Sequence, residues 1–276
     1  MKSTIPNVLT IAGVDPSGGA GIVADVKAIS AQRAYACAVV AALTAQNTHG
    51  VMDVLAIDPT FVRYQLDTLY ADVRIDALKI GMIGQRVVIE AVADRIAAQH
   101  TPHRVLDPVM VAKSGDTLLE KAAVGALRET LLPLATIITP NLPEAGVLLE
   151  ARSVETIKEM YRVAERLREL MPHSGARWVY LKGGHLPGDD AFDLLTDGDR
   201  MIELNEPRVA TKNTHGTGCT LSAALAALLP QTGDVPEAAR RAKAYLTEAL
   251  RRADRLSVGS GHGPVHHFHA LWGSDA

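Results

Sequence analysis

The chain has 276 residues, of which 47% are hydrophobic and only 4% are aromatic, so its core must be built mainly from Ala, Val, Leu and Ile. This length and composition suit one large α/β domain, and we expect a single domain over residues 1–276. With 28 basic against 31 acidic residues the net charge is -3, and no long basic run occurs. Neither a nucleic acid nor an anionic membrane is therefore expected as the main partner, and a small-molecule ligand fits better.

The two cysteines and the amino-terminal segment indicate a reducing compartment. Cys37 and Cys219 match neither a disulfide framework nor a zinc site. Residues 1–15 lack the architecture of a secretory signal, and no apolar run approaches the roughly 20 residues needed to cross a bilayer. We therefore expect a cytoplasmic protein.

Short β-like runs alternate with longer helical segments, which indicates crossover units and a largely parallel sheet. The predicted strands are residues 8–12, 38–42, 77–80, 105–106, 136–139 and 178–181. The clearest helix spans residues 154–170, where apolar residues recur every three or four positions. Residues 191–196 and 201–206 flank an Asp-Gly-Asp turn, so the sheet is expected to finish with an antiparallel piece.

Chemically reactive residues follow several of the predicted strands. In an open parallel sheet, ligands bind at the carboxyl ends of the strands, so these residues are the ones to inspect. The loops that carry them are residues 13–21, 81–84, 107–110, 140–144 and 182–184. Their repeated placement predicts a ligand site at this edge, although Gly and Asp are also the usual residues for ending strands.

A glycine-punctuated turn, NTHGTGC at residues 213–219, leads directly into an apolar helix at residues 220–229. Gly216 and Gly218 permit a backbone conformation in which several N–H groups face inward, and the helix N-terminus adds unpaired N–H groups and a partial positive charge. This layout is typical of an anion cradle, although such a turn also occurs as a simple tight connection. Cys219 lies in the first helical turn, where its pKa is expected to fall, so the thiol can also serve as a proton acceptor.

The residues at this edge supply the parts that phosphoryl transfer needs: a cation with carboxylate support, charge stabilisation at the phosphate and a proton acceptor. Asp107 and Glu144 can hold Mg²⁺, partly through water, and Lys182 can neutralise a phosphate oxygen. Structural explanations remain open for all three. Asp107 precedes a proline and can end a strand, Glu144 can stabilise a first helical turn, and Lys182 can be solvated.

Several common nucleotide and hydrolase motifs are absent from the sequence. The chain has no P-loop and no G-x-G-x-x-G that opens a helix, and it has no G-x-S-x-G nucleophile elbow. These absences exclude the commonest nucleotide hydrolases and make a dinucleotide oxidoreductase a weak candidate.

A set of ordered blocks spans nearly the whole chain. The blocks are TIAG at residues 10–13, DPSGGAG at 15–21, LTAQNT at 43–48, KIGM at 79–82, DPVMVAKSG at 107–115, TPNLPEA at 139–145, KGGH at 182–185 and NTHGTGC at 213–219. In these blocks the chain resembles the ribokinase-like kinases, and among them the bacterial hydroxymethylpyrimidine/phosphomethylpyrimidine kinases.

The resemblance implies a ribokinase-like three-layer αβα fold with a mostly parallel central sheet and a small antiparallel edge. It implies an ATP-dependent, Mg²⁺-dependent kinase of thiamine biosynthesis. Such an enzyme phosphorylates 4-amino-5-hydroxymethyl-2-methylpyrimidine and then converts the monophosphate to the diphosphate. The family resemblance also suggests a homodimer.

The resemblance assigns site residues at the matching positions. In the substrate pocket Gln46 would read the aminopyrimidine edge, with a carboxamide that offers both a donor and an acceptor. The other substrate-binding residues would be Gly13, Ala20, Asp25, Met82 and Val109. The nucleotide would contact Asn141, Thr217 and Lys182, the metal would contact Asp107 and Glu144, and the catalytic anion hole would comprise Gly216, Thr217, Gly218 and Cys219. For Asp25, one turn into the first helix, stabilisation of the helix dipole is an equally open explanation.

Cys219 separates this chain from most ribokinase-like sugar kinases, which carry an aspartate at that position. Two alternatives to a pyrimidine kinase remain. A pyridoxal kinase also acts on a methylated heterocycle with a hydroxymethyl group, but Gln46 together with Met82 favours the pyrimidine. A nucleotide-binding regulator without catalysis would be expected to have lost Cys219, Asp107 or Lys182, and all three are present.

Overall fold

The computed structural model describes residues 4–110, 121–171, 175 and 177–273. Residues 111–115 of the DPVMVAKSG block lie outside the described residues. Within the described part, one nine-stranded sheet runs through the molecule. Its strands are β1 Asn7–Val14, β2 Tyr35–Gln46, β3 Val51–Ala56, β4 Ala77–Ile80, β5 His103–Leu106, β6 Ile137–Ile138, β7 Trp178–Lys182, β8 Asp190–Thr196 and β9 Met201–Pro207.

The strands lie in the order β3-β2-β1-β4-β5-β6-β7-β8-β9. The neighbours from β2 to β7 are parallel, and β3, β8 and β9 pair antiparallel with their neighbours. The predicted α/β class and largely parallel sheet are confirmed, as is the closing hairpin, where Gly198 takes a φ of 99° between β8 and β9. The antiparallel strand β3 at the opposite edge was not predicted.

Helices cover both faces of the sheet. The helical segments are α1 Gly21–Ala31, α2 Pro59–Tyr70, α3 Arg86–Ala97, α4 Lys121–Ala126 with turns at Leu127–Leu131 and Leu132–Leu134, α5 Leu142–Leu148, α6 Ile157–Glu169, α7 Thr217–Thr232, α8 Val235–Arg251 and a short turn at Ala253–Arg255. Side chains of β1 alternate between the two faces: Val8 belongs to the buried cluster that includes residues of α1, α7 and α8, whereas Leu9 belongs to the cluster that includes residues of α2 to α6. The result is three layers, helix on sheet on helix.

The predicted helix over residues 154–170 is α6, which is slightly shorter at both ends. Its first turn is capped by Thr156, whose hydroxyl accepts a hydrogen bond from the Glu159 N–H. Met160, Ala164 and Leu167 form its buried stripe, in keeping with the spacing that predicted it. Among the described residues, no helix has both the length and the apolar character that crossing a membrane requires.

The chain changes direction across the sheet beside β1. After β2 and β3 are laid down on one side of β1, the chain crosses to the other side and adds β4, β5, β6 and β7 in turn. The carboxyl ends of β1 and β4 therefore open a crevice, which is the usual ligand position in open α/β sheets. Helix α7, buried from Thr220 to Leu229, packs against β1, β4 and β5 and directs its N-terminus toward this edge.

Candidate active site

A cavity of about 430 Å³ lies at the carboxyl edge of the sheet. Its walls come from the loops after β1, β4, β5, β6 and β7, from the end of β2 and from the N-terminus of α7. It is lined by Gly13, Val14, Asp15, Ala20, Gly21, Thr44, Gln46, Met82, Asp107, Val109, Met110, Asn141, Pro143, Glu144, Val147, Lys182, His185, Thr214, His215, Gly216, Thr217, Gly218 and Cys219. Every residue predicted for the site is on this wall except Asp25.

The predicted anion cradle coincides with the N-terminus of α7. Gly216 is the cap residue, with a left-handed φ of 74°, and no side chain caps the helix, so the first backbone N–H groups stay available to a ligand. A Cβ at Gly216 would lie 1.8 Å from the carbonyl oxygen of Gly19, so the close approach of these two loops requires glycine. Gly218 stands beside Lys182, since a Cβ there would lie 3.2 Å from the Lys182 Nζ.

Lys182 is the last residue of β7, and its side chain forms an ion pair with Asp107 next to the cradle. The Lys182 Nζ donates to Asp107 Oδ1 at 2.8 Å, and Asp107 also accepts from the hydroxyls of Thr139 at 2.9 Å and Ser222 at 3.2 Å. Burial acts to raise the pKa of Asp107, but the positive charges of Lys182 and Lys79 outweigh it. Together with the hydrogen bonds from Lys182 and Thr139, they hold that pKa below its usual range. Asp107 is therefore an ionised carboxylate, and Lys182 is the cation nearest to it.

Asn141 and Glu144 form a capping box at the start of α5. The Glu144 N–H donates to Asn141 Oδ1 at 2.8 Å, and the Asn141 N–H donates to Glu144 Oε2 at 2.7 Å. The structural explanation for Glu144 therefore applies, and it is compatible with a role in the site because Glu144 Oε2 also lies 3.9 Å from the Lys182 Nζ. Burial raises the pKa of Glu144 to about 7, with the Asp107 charge adding to the effect and Lys182 opposing it.

Asp107 and Glu144 meet around Lys182 and offer hard oxygen atoms to a cation. Among the described residues, no cluster of three or more His, Cys, Asp or Glu side chains is arranged to hold a metal ion. Two carboxylates nevertheless fit Mg²⁺, which keeps several waters and takes its remaining ligands from substrate phosphates. Asp107 and Glu144 therefore suit a magnesium site beside Lys182 in which water supplies several of the ligands.

The residues predicted to enclose the substrate ring line another part of the same cavity. Gly13 donates its N–H to the carbonyl of Met82 at 2.9 Å, and a Cβ at Gly13 would lie 2.7 Å from the Met82 Cε, so the methionine side chain fills that space. Val109 and Ala20 add apolar surface. Gln46, at the end of β2, is the carboxamide on this wall, and its Oε1 lies 3.1 Å from the hydroxyl of Thr44.

Cys219 lies in the first turn of α7, on the cavity wall. The predicted fall of its pKa is wrong: burial raises the pKa of the thiol to about 11, and the Asp25 and Asp107 charges add to this. Lys79 and a hydrogen bond from the Gly21 backbone oppose the rise without cancelling it. The helix N-terminus was the only influence considered from the sequence, and desolvation by the surrounding core outweighs it.

Asp25 is the one predicted substrate-binding residue that does not line the cavity. Its side chain is fully buried and forms an ion pair with Lys79 at 2.7 Å, while the Thr10 hydroxyl donates to the same oxygen at 2.6 Å. Burial acts to lower the pKa of Lys79, but Asp25 outweighs it and raises that pKa, so Lys79 is charged. The pair lies behind Cys219, which interacts electrostatically with both members.

Asp15, Thr44 and His215 belong to the sequence motifs but were not predicted as site residues. All three line the cavity, and the carboxylate of Asp15 lies 2.7 Å from the Nε2 of His215. Asp15 also accepts the backbone N–H of Ser17 at 2.8 Å and of Ala20 at 2.9 Å. The one available signal was position, since Asp15 follows the first strand and His215 directly precedes Gly216.

Comparison with known proteins finds a matching family model and a relative that is similar in sequence over nearly the whole chain. The family model of phosphomethylpyrimidine kinase matches residues 15–266. A relative from Salmonella typhimurium named hydroxymethylpyrimidine/phosphomethylpyrimidine kinase is 53% identical over 266 residues, which are 96% of this chain and 98% of the relative.

Two solved structures show the same fold. A Bacillus subtilis pyridoxal kinase in complex with ADP superposes with a TM-score of 0.87 at 35% identity, covering 97% of this chain and 99% of that chain. A phosphomethylpyrimidine kinase from Clostridium difficile superposes with a TM-score of 0.78 at 37% identity, covering 89% of this chain and 99% of that chain. The ribokinase-like fold is thereby confirmed, and the chain belongs to the phosphomethylpyrimidine kinase family.

Proposed function

We propose that the protein is an ATP-dependent kinase of 4-amino-5-hydroxymethyl-2-methylpyrimidine and of its monophosphate, acting in thiamine biosynthesis. The observation that carries the proposal is the cavity itself. Gln46 and Met82 line it together with Lys182 and Asp107, and the N-terminus of α7 contributes its first residues to the same wall. A heterocycle with a hydroxymethyl arm fits this set of groups, with its ring beside Gln46 and Met82 and its hydroxyl at the cradle.

At the cradle, the free N–H groups at residues 216–219 stabilise negative charge as it develops on the transferred group. Lys182 adds a full positive charge, and Asn141 and Thr217 border the same space, where we place the nucleotide phosphates. Such fixed donors need no rearrangement during the reaction, and phosphoryl transfer depends mainly on this kind of positioning and charge stabilisation.

Asp107 and Glu144 are the residues that would hold Mg²⁺, and a bound magnesium ion would neutralise phosphate charge there. Asp107 is ionised because the charges of Lys182 and Lys79 keep its pKa low, with hydrogen bonds from Lys182 and Thr139 adding to the effect, so it can supply a ligand at any pH near neutral. Glu144, with a pKa of about 7, supplies a second charge only as the pH rises past neutral.

Cys219 faces the substrate hydroxyl in this arrangement and takes its proton when ionised. With a thiol pKa of about 11 the ionised fraction is small at neutral pH, so the rate should increase with pH. We expect Cys219→Ala to lose most of kcat while it retains substrate binding. Full turnover by that variant would remove Cys219 from the mechanism.

The test is ADP release with hydroxymethylpyrimidine, its monophosphate and pyridoxal measured side by side. We expect turnover of the two pyrimidines to exceed that of pyridoxal, because Gln46 offers a donor and an acceptor to the aminopyrimidine edge. A preference for pyridoxal would favour the rival kinase, a member of which has the same fold as this chain. Failure with all three would favour a regulator without catalysis.

We also infer that the chain forms one kinase domain and works as a homodimer in the cytoplasm. A single sheet through the described residues supports the one domain. The free thiols of Cys37 and Cys219 suit a reducing compartment. Apolar side chains on the β2–β3 edge support the dimer: Leu43 and Leu55 pair across the two strands and both are exposed, as is Met52.

A further inference from the structure

Asp15 and His215 form a buried pair that the proposed mechanism does not use. The two residues are 2% and 7% exposed, and Asp15 Oδ2 lies 2.7 Å from His215 Nε2. The backbone N–H groups of Ser17 and Ala20 hold the carboxylate in place. The same His215 Nε2 also lies 3.5 Å from the carboxamide nitrogen of Gln46. The pair thus borders the group that would read the substrate.

The hydrogen bonds of Asp15 determine which atom of His215 carries a proton. Burial acts to raise the pKa of Asp15, but the hydrogen bonds from His215 and Ser17 outweigh it and hold that pKa below its usual value. An ionised carboxylate can only accept, so the hydrogen between Asp15 and His215 must reside on Nε2. His215 Nε2 therefore directs its hydrogen toward Asp15 and has no lone pair with which to accept a hydrogen bond from the Gln46 amide.

The neighbours of Gln46 then distinguish the two orientations of its carboxamide. An amide can turn by a half-rotation with no change in shape, and only hydrogen bonding separates the two forms. A nitrogen beside His215 would set two N–H donors against each other. With the oxygen beside His215 and the nitrogen beside Thr44, the Nε2–H has a second acceptor and the amide donates to the Thr44 hydroxyl, which in turn donates to the carbonyl of Val14 at 3.0 Å.

We propose that Asp15 and His215 fix the Gln46 carboxamide with its oxygen on the His215 side and its nitrogen on the Thr44 side, and so select an aminopyrimidine edge over a pyrimidinone edge. This inference rests on the proposed function, since it specifies how that site chooses its substrate. His215 and Asp15 are positioning residues here, because they act on the ligand through Gln46.

The two heterocycle edges present opposite orders of donor and acceptor. An aminopyrimidine offers an exocyclic N–H₂ donor beside a ring-nitrogen acceptor, which matches the fixed oxygen and nitrogen of Gln46. The corresponding 4-oxo compound offers a carbonyl acceptor beside a ring N–H donor, which places like groups against each other. A carboxamide that could turn would bind both edges, whereas a fixed one leaves the wrong ligand with unpaired buried groups.

The test measures binding by calorimetry, without nucleotide, for the aminopyrimidine alcohol and its 4-oxo counterpart. We expect wild type to prefer the amino compound by about 100-fold. In His215→Phe and His215→Leu the donor that fixes Gln46 is lost, and the preference should fall to about tenfold or less. Thr44→Val is the matched control on the other side of Gln46: it should weaken both ligands by similar factors and keep the preference.

Equal binding of the two ligands by wild type, or an undiminished preference in folded His215 variants, would overturn the inference. Circular dichroism checks the folding of each variant. Nitrogen-15 NMR of wild type gives an independent readout that needs no variant to fold: a proton on His215 Nε2 supports the inference, and a proton on Nδ1 alone overturns it. A protein that shows the predicted binding preference but releases no ADP with either pyrimidine would refute the kinase proposal and still support this inference.

Discussion

The two ends of α7 provide a sharp test of the anion cradle, because each is capped by a glycine in a left-handed conformation. Gly216 begins the helix with a φ of 74°, and Gly233 ends it with a φ of 63°. A Cβ at Gly216 would lie 1.8 Å from the Gly19 carbonyl oxygen, whereas a Cβ at Gly233 would meet nothing within 4 Å. Gly216→Ala and Gly233→Ala therefore share the conformational strain and differ in the clash.

The strain of a non-glycine residue in this conformation is roughly 1–2 kcal/mol, and both variants should lose that much stability. In Gly216→Ala the Cβ and the carbonyl must also separate from 1.8 Å to at least 3.0 Å, a displacement of about 1.2 Å. That displacement moves the cradle away from the loop that carries Ala20. A misplacement of about 1 Å near the reacting groups can cost about 100-fold in rate, so we expect kcat of Gly216→Ala to fall by about that factor.

The assay is ADP release with saturating hydroxymethylpyrimidine, paired with denaturant unfolding of each variant. We expect Gly233→Ala to keep wild-type kcat despite its lower stability, because it lies at the far end of α7. Two results would refute the reasoning. One is a Gly216→Ala enzyme with unchanged kcat, and the other is an equal loss of kcat in both variants, which would trace the effect to stability alone.

Three further predictions follow from the charges and the exposed edge. Burial raises the pKa of Glu144 to about 7, so its carboxylate becomes protonated as the pH falls through neutral. The magnesium concentration that gives half-maximal rate should therefore be higher at pH 6 than at pH 8, and Glu144→Gln should abolish this pH dependence. Lys79→Met removes a positive charge that lowers the pKa of Cys219, so alkylation of that thiol should slow, whereas Asp25→Asn removes a negative charge and should accelerate it. Mass spectrometry follows the alkylation. If both variants changed the rate in the same direction, the opposite effects assigned to the two charges would be wrong. Leu55→Asp places a charge on the exposed β2–β3 edge and should yield monomers in light scattering, and a dimer that persists would place the interface elsewhere.

Local sequence patterns predicted the elements whose burial follows from their own residues. The strand predicted at residues 77–80 is β4, and all four of its residues are buried. Strand β3 was not predicted, because its sequence shows no alternation of apolar and polar residues. Four of its six residues are exposed, so the strand has no buried face that would require such a pattern. It is held by its pairing with β2, which a local pattern does not reveal.

The chemistry of the site was less predictable because it depends on partners far away in the chain. Placement at strand ends sufficed to collect Asp107, Glu144 and Lys182, since parallel strands end at the same edge. The state of Cys219 depends on its desolvation and on the buried pair of Asp25 and Lys79, and neither follows from a position in a first helical turn. The contact of Asp15 with His215 joins residues 200 positions apart, and no spacing rule connects them.

The burial of α7 from Thr220 to Leu229 has a consequence for the dynamics of the cradle. Surface helices fray and exchange their amide hydrogens through small local openings, but a helix enclosed on all sides exchanges only when much of the protein opens. The amides of α7 should therefore be among the slowest to exchange in the chain. The cradle is the end of that helix, so its backbone N–H groups are attached to one of the most slowly exchanging segments of the chain. These hydrogen-bond donors are therefore already ordered before a substrate binds.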